Sequence, residues 1–200
     1  MTGHFEPISG GGAAIALDEV ELSILRSLAV QLLELIGPGD SGPEGEDPLA
    51  RLFAEGPSEP PADPALARLF PDAYGGPDVK PDSAEENEAR ERSAEFRRFT
   101  ENDLRTRKRE DALAVVRSLD SVTAAGDGGA VLKLRPEESR QWLGALNDLR
   151  LAIGTRLEIA ADDDSEMLFR LPDDDPRKPM VMAYLWLGGL QETLVETLMP

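Results

Sequence analysis

The stretch bracketed by Asp18 and Gly37 does most to constrain the fold. Inside it lie Val20, Leu22, Ile24, Leu25, Leu28, Ala29, Leu32, Leu33, Leu35 and Ile36. Apolar side chains at this spacing, placed almost all round the helix, read as a buried central helix rather than a surface one. Asp18 supplies an N-cap oxygen and Gly37-Pro38 ends the run. A chain built on such a helix must wrap other elements around it. With 40% hydrophobic but only 5% aromatic residues, the core has to be aliphatic.

Further helices carry their own start signals. Asp47-Pro48 and Asp63-Pro64 each join a capping aspartate to a proline at the first helical position. The segments they open, DPLARLF and DPALARLF, are nearly the same and read as a local duplication. Ser83 and Glu86 form a capping box before a long charged helix. That helix either runs to about Leu119 or breaks near Thr100, where Thr100 and Asp103 offer a second box. A fourth helix opens at Pro136, with Trp142, Leu146, Leu149 and Ile153 as its seam; the last runs from Met180 to Leu198, with Leu187, Leu190, Leu194 and Leu198. Trp142, Trp186 and Tyr184 are read as core.

Short strands fit between the helices. Phe5–Ile8 and Ala14–Leu17 flank Gly10-Gly11-Gly12 as a hairpin would, and Ala130–Leu134 and Met167–Leu171 are further candidates. The expected fold is therefore mainly α, a helical core with a small antiparallel sheet made from the hairpin and the Val131 and Leu168 regions. One domain over residues 1–200 is expected, with a Gly/Pro/acid-rich loop at 37–64 and an acidic loop at 161–176. There is also a faint internal echo: with Leu17 laid on Leu134, Gly37 and Gly154 coincide as helix ends. Strand, cap, helix and glycine form a common grammar, so duplication and chance both account for it.

Charge and composition exclude several functions. The chain has 21 basic and 39 acidic residues, a net charge of −18, and each of the two loops holds seven acids against one arginine. Such a surface repels nucleic-acid phosphates and anionic lipid at long range. With no cysteine there is no disulfide, thiolate metal site or thiol nucleophile. The single histidine, His4, lies beside the start of the chain. No phosphate-binding, dinucleotide, zinc-protease or nucleophile-elbow motif is present, so neither an enzyme nor a cofactor is expected. The triplets Asp162-Asp163-Asp164 and Asp173-Asp174-Asp175 lack the spacing of a calcium loop and read as solvated loops. Met1–Gly12 lacks a secretory pattern, and the apolar run Met180–Leu190 falls well short of the ~20 residues a membrane span requires. A soluble, cytoplasmic chain with no membrane partner is expected.

Two features stand out against this background. Arg97, Arg98, Arg105, Lys108 and Arg109 cluster within about 120° of the third helix if it is unbroken, with Phe96 and Phe99 roughly opposite. This basic face is the candidate partner surface. It could equally be neutralised within the chain, by its own acidic loops or by neighbours such as Glu101, four residues before Arg105. As a partner surface, its reversal at Arg97, Arg98 and Arg105 to Glu should abolish binding and leave stability nearly unchanged. The second feature is Asn147-Asp148 inside an apolar helix, with Arg150 and Arg156 nearby. Poor helix formers at mid-helix imply a polar network, with Asp148 bridged to an arginine, or else a ligand or partner site.

WLGALNDLRLAIGTRL (Trp142–Leu157), FRRFTENDLRTRK (Phe96–Lys108), DPALARLFPDAY (Asp63–Tyr74) and WLGGLQETLV (Trp186–Val195) add a resemblance. Together they resemble the actinomycete AosR-type oxidative-stress transcriptional regulators, formerly a family of unknown function. The resemblance implies a cytoplasmic, non-enzymatic regulator that contacts a protein of the transcription machinery, such as a sigma factor or RNA polymerase. Its genes often lie near a Clp-protease adaptor. It implies no catalytic or ligand residue. A thiol switch does not carry over to a chain without cysteine, and sensing would have to use one of five methionines or another input. Direct DNA binding through the basic face, and a carboxylate enzyme without a motif, are the alternatives. Oligomeric state is open.

Overall fold

A computed structural model describes residues 3–38, 55–76, 80–123, 129–160 and 168–199. Among these, β1 (Glu6–Pro7) and β2 (Ala13–Leu17) lead into α1 (Glu19–Ile36). There follow α2 (Pro64–Leu69), α3 (Ala84–Thr123), β3 (Ala130–Leu134), α4 (Pro136–Arg156) and α5 (Lys178–Leu198). The protein is mainly helical, with a small three-stranded antiparallel sheet in the order β1-β2-β3.

The sheet register follows from alternation. Ala13 lies opposite Leu134 and Leu17 opposite Ala130. Ala13, Ile15 and Leu17 of β2 and Leu132 and Leu134 of β3 are thereby buried, while Val131 points outward. The Leu168 region adds no strand. Leu168 and Phe169 lie in a helical turn, closed by the Leu171 amide donating to the Leu168 carbonyl. Lys178 Nζ donates to the carbonyls of Phe169 (2.5 Å) and Leu171 (2.8 Å), satisfying them without a neighbouring strand.

Helix starts obey their caps. Asp18 Oδ1 accepts from the Glu21 amide while the Glu21 carboxylate accepts from the Asp18 amide; Asp63 Oδ1 accepts from the Leu66 amide. The Asp47-Pro48 segment lies outside the described residues. The third helix does not break at Thr100, because the Thr100 hydroxyl donates back to the Phe96 carbonyl (2.8 Å) instead of capping a new start.

The central helix is α4, not α1. Helices α1, α2, α3 and α5 all pack on it, and Trp142, Ala145, Leu146 and Leu149 are buried there. Phe5 meets the Trp142 ring edge-on at 5.9 Å. In α1 one face is buried (Leu22, Leu25, Ala29, Leu32, Ile36), whereas Val20 and Ile24 are exposed, so the apolar pattern overstates its burial. The two echoing glycines do different work. Gly37 ends α1 at φ +83°, while Gly154 lies inside α4, where a Cβ would press on the Tyr184 ring.

Candidate functional site

The five cations of the candidate surface line one face of α3, and the fold turns that face toward the rest of the chain, burying Arg97 fully, Arg105 and Lys108 largely, and leaving Arg98 40% exposed. Arg97, only 4% exposed, donates to the Phe70 carbonyl (3.0 Å), to Asp72 (2.8 Å) and to Glu101 (2.5 Å). Arg98 Nε donates to Glu55 (3.0 Å). These two arginines clasp the segment that carries α2 against α3. Burial works against the Arg97 charge, but the bonds to Asp72 and Glu101 outweigh it and raise its pKa.

Arg105 and Arg109 serve a different element. α1 has no basic residue in its last turn, so its terminal carbonyls and the negative end of its dipole need outside donors. Arg105 donates to the Ile36 carbonyl, and Arg109 to those of Leu33 (3.3 Å) and Gly37. Arg105 also donates to Glu101 (2.7 Å) and stacks on the Phe70 ring at 4.5 Å. Glu101, 3% exposed, thus lies between two arginines on successive turns. The Glu101–Arg105 pair is the one its spacing suggests.

The fifth cation reaches α4. Lys108 Nζ donates to Asp148 at 2.6 Å, both side chains being largely buried. The bridge to Asp148 is thus a lysine, where an arginine was expected. Burial raises the Asp148 pKa, opposed by the hydrogen bonds from Lys108 and Asn147. Asp111 joins this knot, with its carboxylate lying over the bare Cα of Gly144. Burial, helped by the neighbouring Asp148 and opposed by Arg107, brings it from 3.8 to about 6. Sequence reasoning missed Asp111, although its place one turn beyond Lys108 was a signal.

The remaining candidates separate. Arg150 turns toward α5, donating to Gln191 (2.7 Å) and lying over the Tyr184 ring at 5.1 Å. Asn147 Oδ1 accepts from Gln191 (3.5 Å). Arg156 stands apart from this network, beside a groove between helices. Of the acidic triplets, Asp162-Asp163-Asp164 lies outside the described residues, and Asp175 is paired with Arg177 (2.9 Å). No group of three or more His, Asp or Glu able to hold a metal occurs among the described residues.

The face opposite the cations carries aromatic rings. Phe96 is 47% exposed and Phe99 65%, and Tyr74 packs edge-on against Phe96 at 6.1 Å. Charge has gone inside and aromatic surface outside, the reverse of an ordinary amphipathic helix.

The model of a domain of unknown function, DUF2017, matches residues 2–198. The chain belongs to the DUF2017 family. It is 39% identical over 87 residues to proteins named oxidative stress regulator AosR in Mycobacterium tuberculosis and Mycobacterium bovis, covering 44% of this chain and 37% of each regulator. A protein named putative oxidative stress regulator AosR in Mycobacterium leprae is 41% identical over 68 residues, 34% of this chain and 30% of that protein. The matches therefore span well under half the length of these regulators. No solved structure matches the chain. Among the described residues no helix is long and apolar enough to cross a membrane.

Proposed function

We propose that this DUF2017 chain is a non-enzymatic cytoplasmic regulator that acts by contact with a protein of the transcription machinery, a sigma factor or RNA polymerase. The likeness to proteins named oxidative stress regulators supports the regulatory role. The observation that carries the contact mode is the outward aromatic strip of α3, Phe96 and Phe99 with Tyr74 beside them. Rings of this kind, solvent-exposed in the free protein and held on a rigid helix, are enriched in protein interfaces. With Phe96 47% and Phe99 65% exposed, covering what remains of one is worth about 1–2 kcal/mol.

The cations are the poorer contact. Arg97, Arg98, Arg105, Lys108 and Arg109 each hold a partner inside the chain. DNA binding through them would break those bonds and act against a net charge of −18. Any oxidant input must bypass cysteine; Met180, Met182 and Met199 are exposed and open to oxidation.

The test is equilibrium binding of the full chain to purified cognate RNA polymerase, as core enzyme, with sigma factor, and to free sigma factor. Phe96→Ser with Phe99→Ser should weaken binding at least ~30-fold, equivalent to about 2 kcal/mol, without lowering the melting temperature. Absence of binding in all three forms, or unchanged binding by the double variant, overturns the reading.

A further inference from the structure

The apolar surface of α1 is wider than the core uses. Beyond its buried stripe, Leu28 and Leu35 are only half covered. They face Leu149 and Ile153 of α4 and Met180 of α5, and the three helices leave a groove of about 310 Å³. The lining is apolar apart from Gln31 and Arg156. Arg156, in the last turn of α4, forms no ion pair among the described residues. Gln31 donates one N–H to Ser27 (3.1 Å) and retains a second.

Size and charge select the occupant. The volume is at the lower end of small-molecule sites, about 300–1,000 Å³. Leu28 to Leu35 spans ~10 Å of helix axis. An extended chain of about eight to ten carbons, with C–C bonds near ~1.5 Å, matches that length. A cation at the rim of an otherwise apolar groove complements a single anionic head, and a planar guanidinium suits a carboxylate. We propose that this groove binds a medium-chain carboxylate, its alkyl chain along the leucines of α1 and α4 and its head on Arg156. Nothing in this assignment depends on the aromatic strip of α3, which lies on another helix.

The test is calorimetric titration of the full chain with decanoate and, separately, decan-1-ol, both below their aggregation concentrations. Decanoate should bind saturably at one site. Arg156→Gln should weaken it at least ~10-fold while leaving decanol unchanged. Ala183→Phe, which fills the groove, should abolish both. Should that variant misfold, Met180→Glu places a carboxylate at an exposed groove position and should repel decanoate more than decanol. No saturable decanoate binding overturns the proposal, as does binding indifferent to Arg156→Gln. A concentration-dependent dimer that Met180→Glu dissociates would overturn it too, by giving the groove to a second copy.

Discussion

The two halves of α3 bury opposite kinds of side chain. Toward its C-terminus the helix follows the usual rule, with Ala112, Val115 and Leu119 at helical spacing in the core. Toward its N-terminus the buried positions are Ser93, Arg97 and Glu101, and the large apolar residues Phe96, Phe99 and Leu104 are exposed. The difference lies in what each half meets. The C-terminal half packs on side chains of α1 and α4. The other meets backbone and carboxylates: the Phe70 carbonyl, Asp72, Glu55 and the carbonyl end of α1. An arginine can be buried where its N–H groups find such acceptors, and a leucine in its place would leave them unsatisfied. A cluster of arginines on a helix therefore does not by itself mark a surface.

That contrast can be broken most severely in the inverted half. Replacing Arg97, Arg98 and Arg105 together by Gln strands Glu101 and the Ile36 carbonyl at the end of α1. Breaking buried pairs of this kind costs about 3–5 kcal/mol. The sequence alone leads to the expectation that these arginines can be reversed with little change in stability; the bonds made by Arg97 and Arg105 lead to the expectation of a large loss. Lys108→Met comes next, because it leaves Asp148 buried without its cation. A loss of about 3 kcal/mol is expected, largely recovered when Asp148→Leu is added.

Asp111→Asn has a smaller effect of opposite sign. The folded carboxyl titrates at about 6 instead of 3.8, so the native chain binds more protons than the unfolded chain between those values. Stability contributed by this group is present at low pH and is lost as pH rises through 6. The variant should melt about 2–4 °C above the parent at pH 7.5, an effect of roughly 1 kcal/mol in a domain of this size. That gap should narrow as pH falls below 6 and close only below about 3.8 in scanning calorimetry. Smallest is the effect of Phe96→Ser with Phe99→Ser on unfolding, within about 0.5 kcal/mol, as for other exposed substitutions. A large loss would return those rings to the core.

Much of the fold was legible because its signals are local. Asp18 with Glu21, Asp63-Pro64 and Pro136 each mark a helix start within four residues. The alternation in β2 and β3 fixed which side chains go inward. What local pattern could not supply was which element lies at the centre. α1 looks more apolar, but α4 is more surrounded, and its Asp148 is tolerated because Lys108 arrives from 40 residues away. For the basic face, the partners lie at sequence separations of up to 76, as with Arg109 and Leu33, so its inward orientation has no local signature. The candidate site was thus found as a cluster, while its role as an internal seam depended on contacts that only the fold creates.

Urea unfolding of the Arg97→Gln, Arg98→Gln, Arg105→Gln chain tests that role most directly. The midpoint should fall by the equivalent of at least ~3 kcal/mol at unchanged slope. A midpoint equal to the parent's would contradict that role and return these three arginines to the surface as free ligands for a partner.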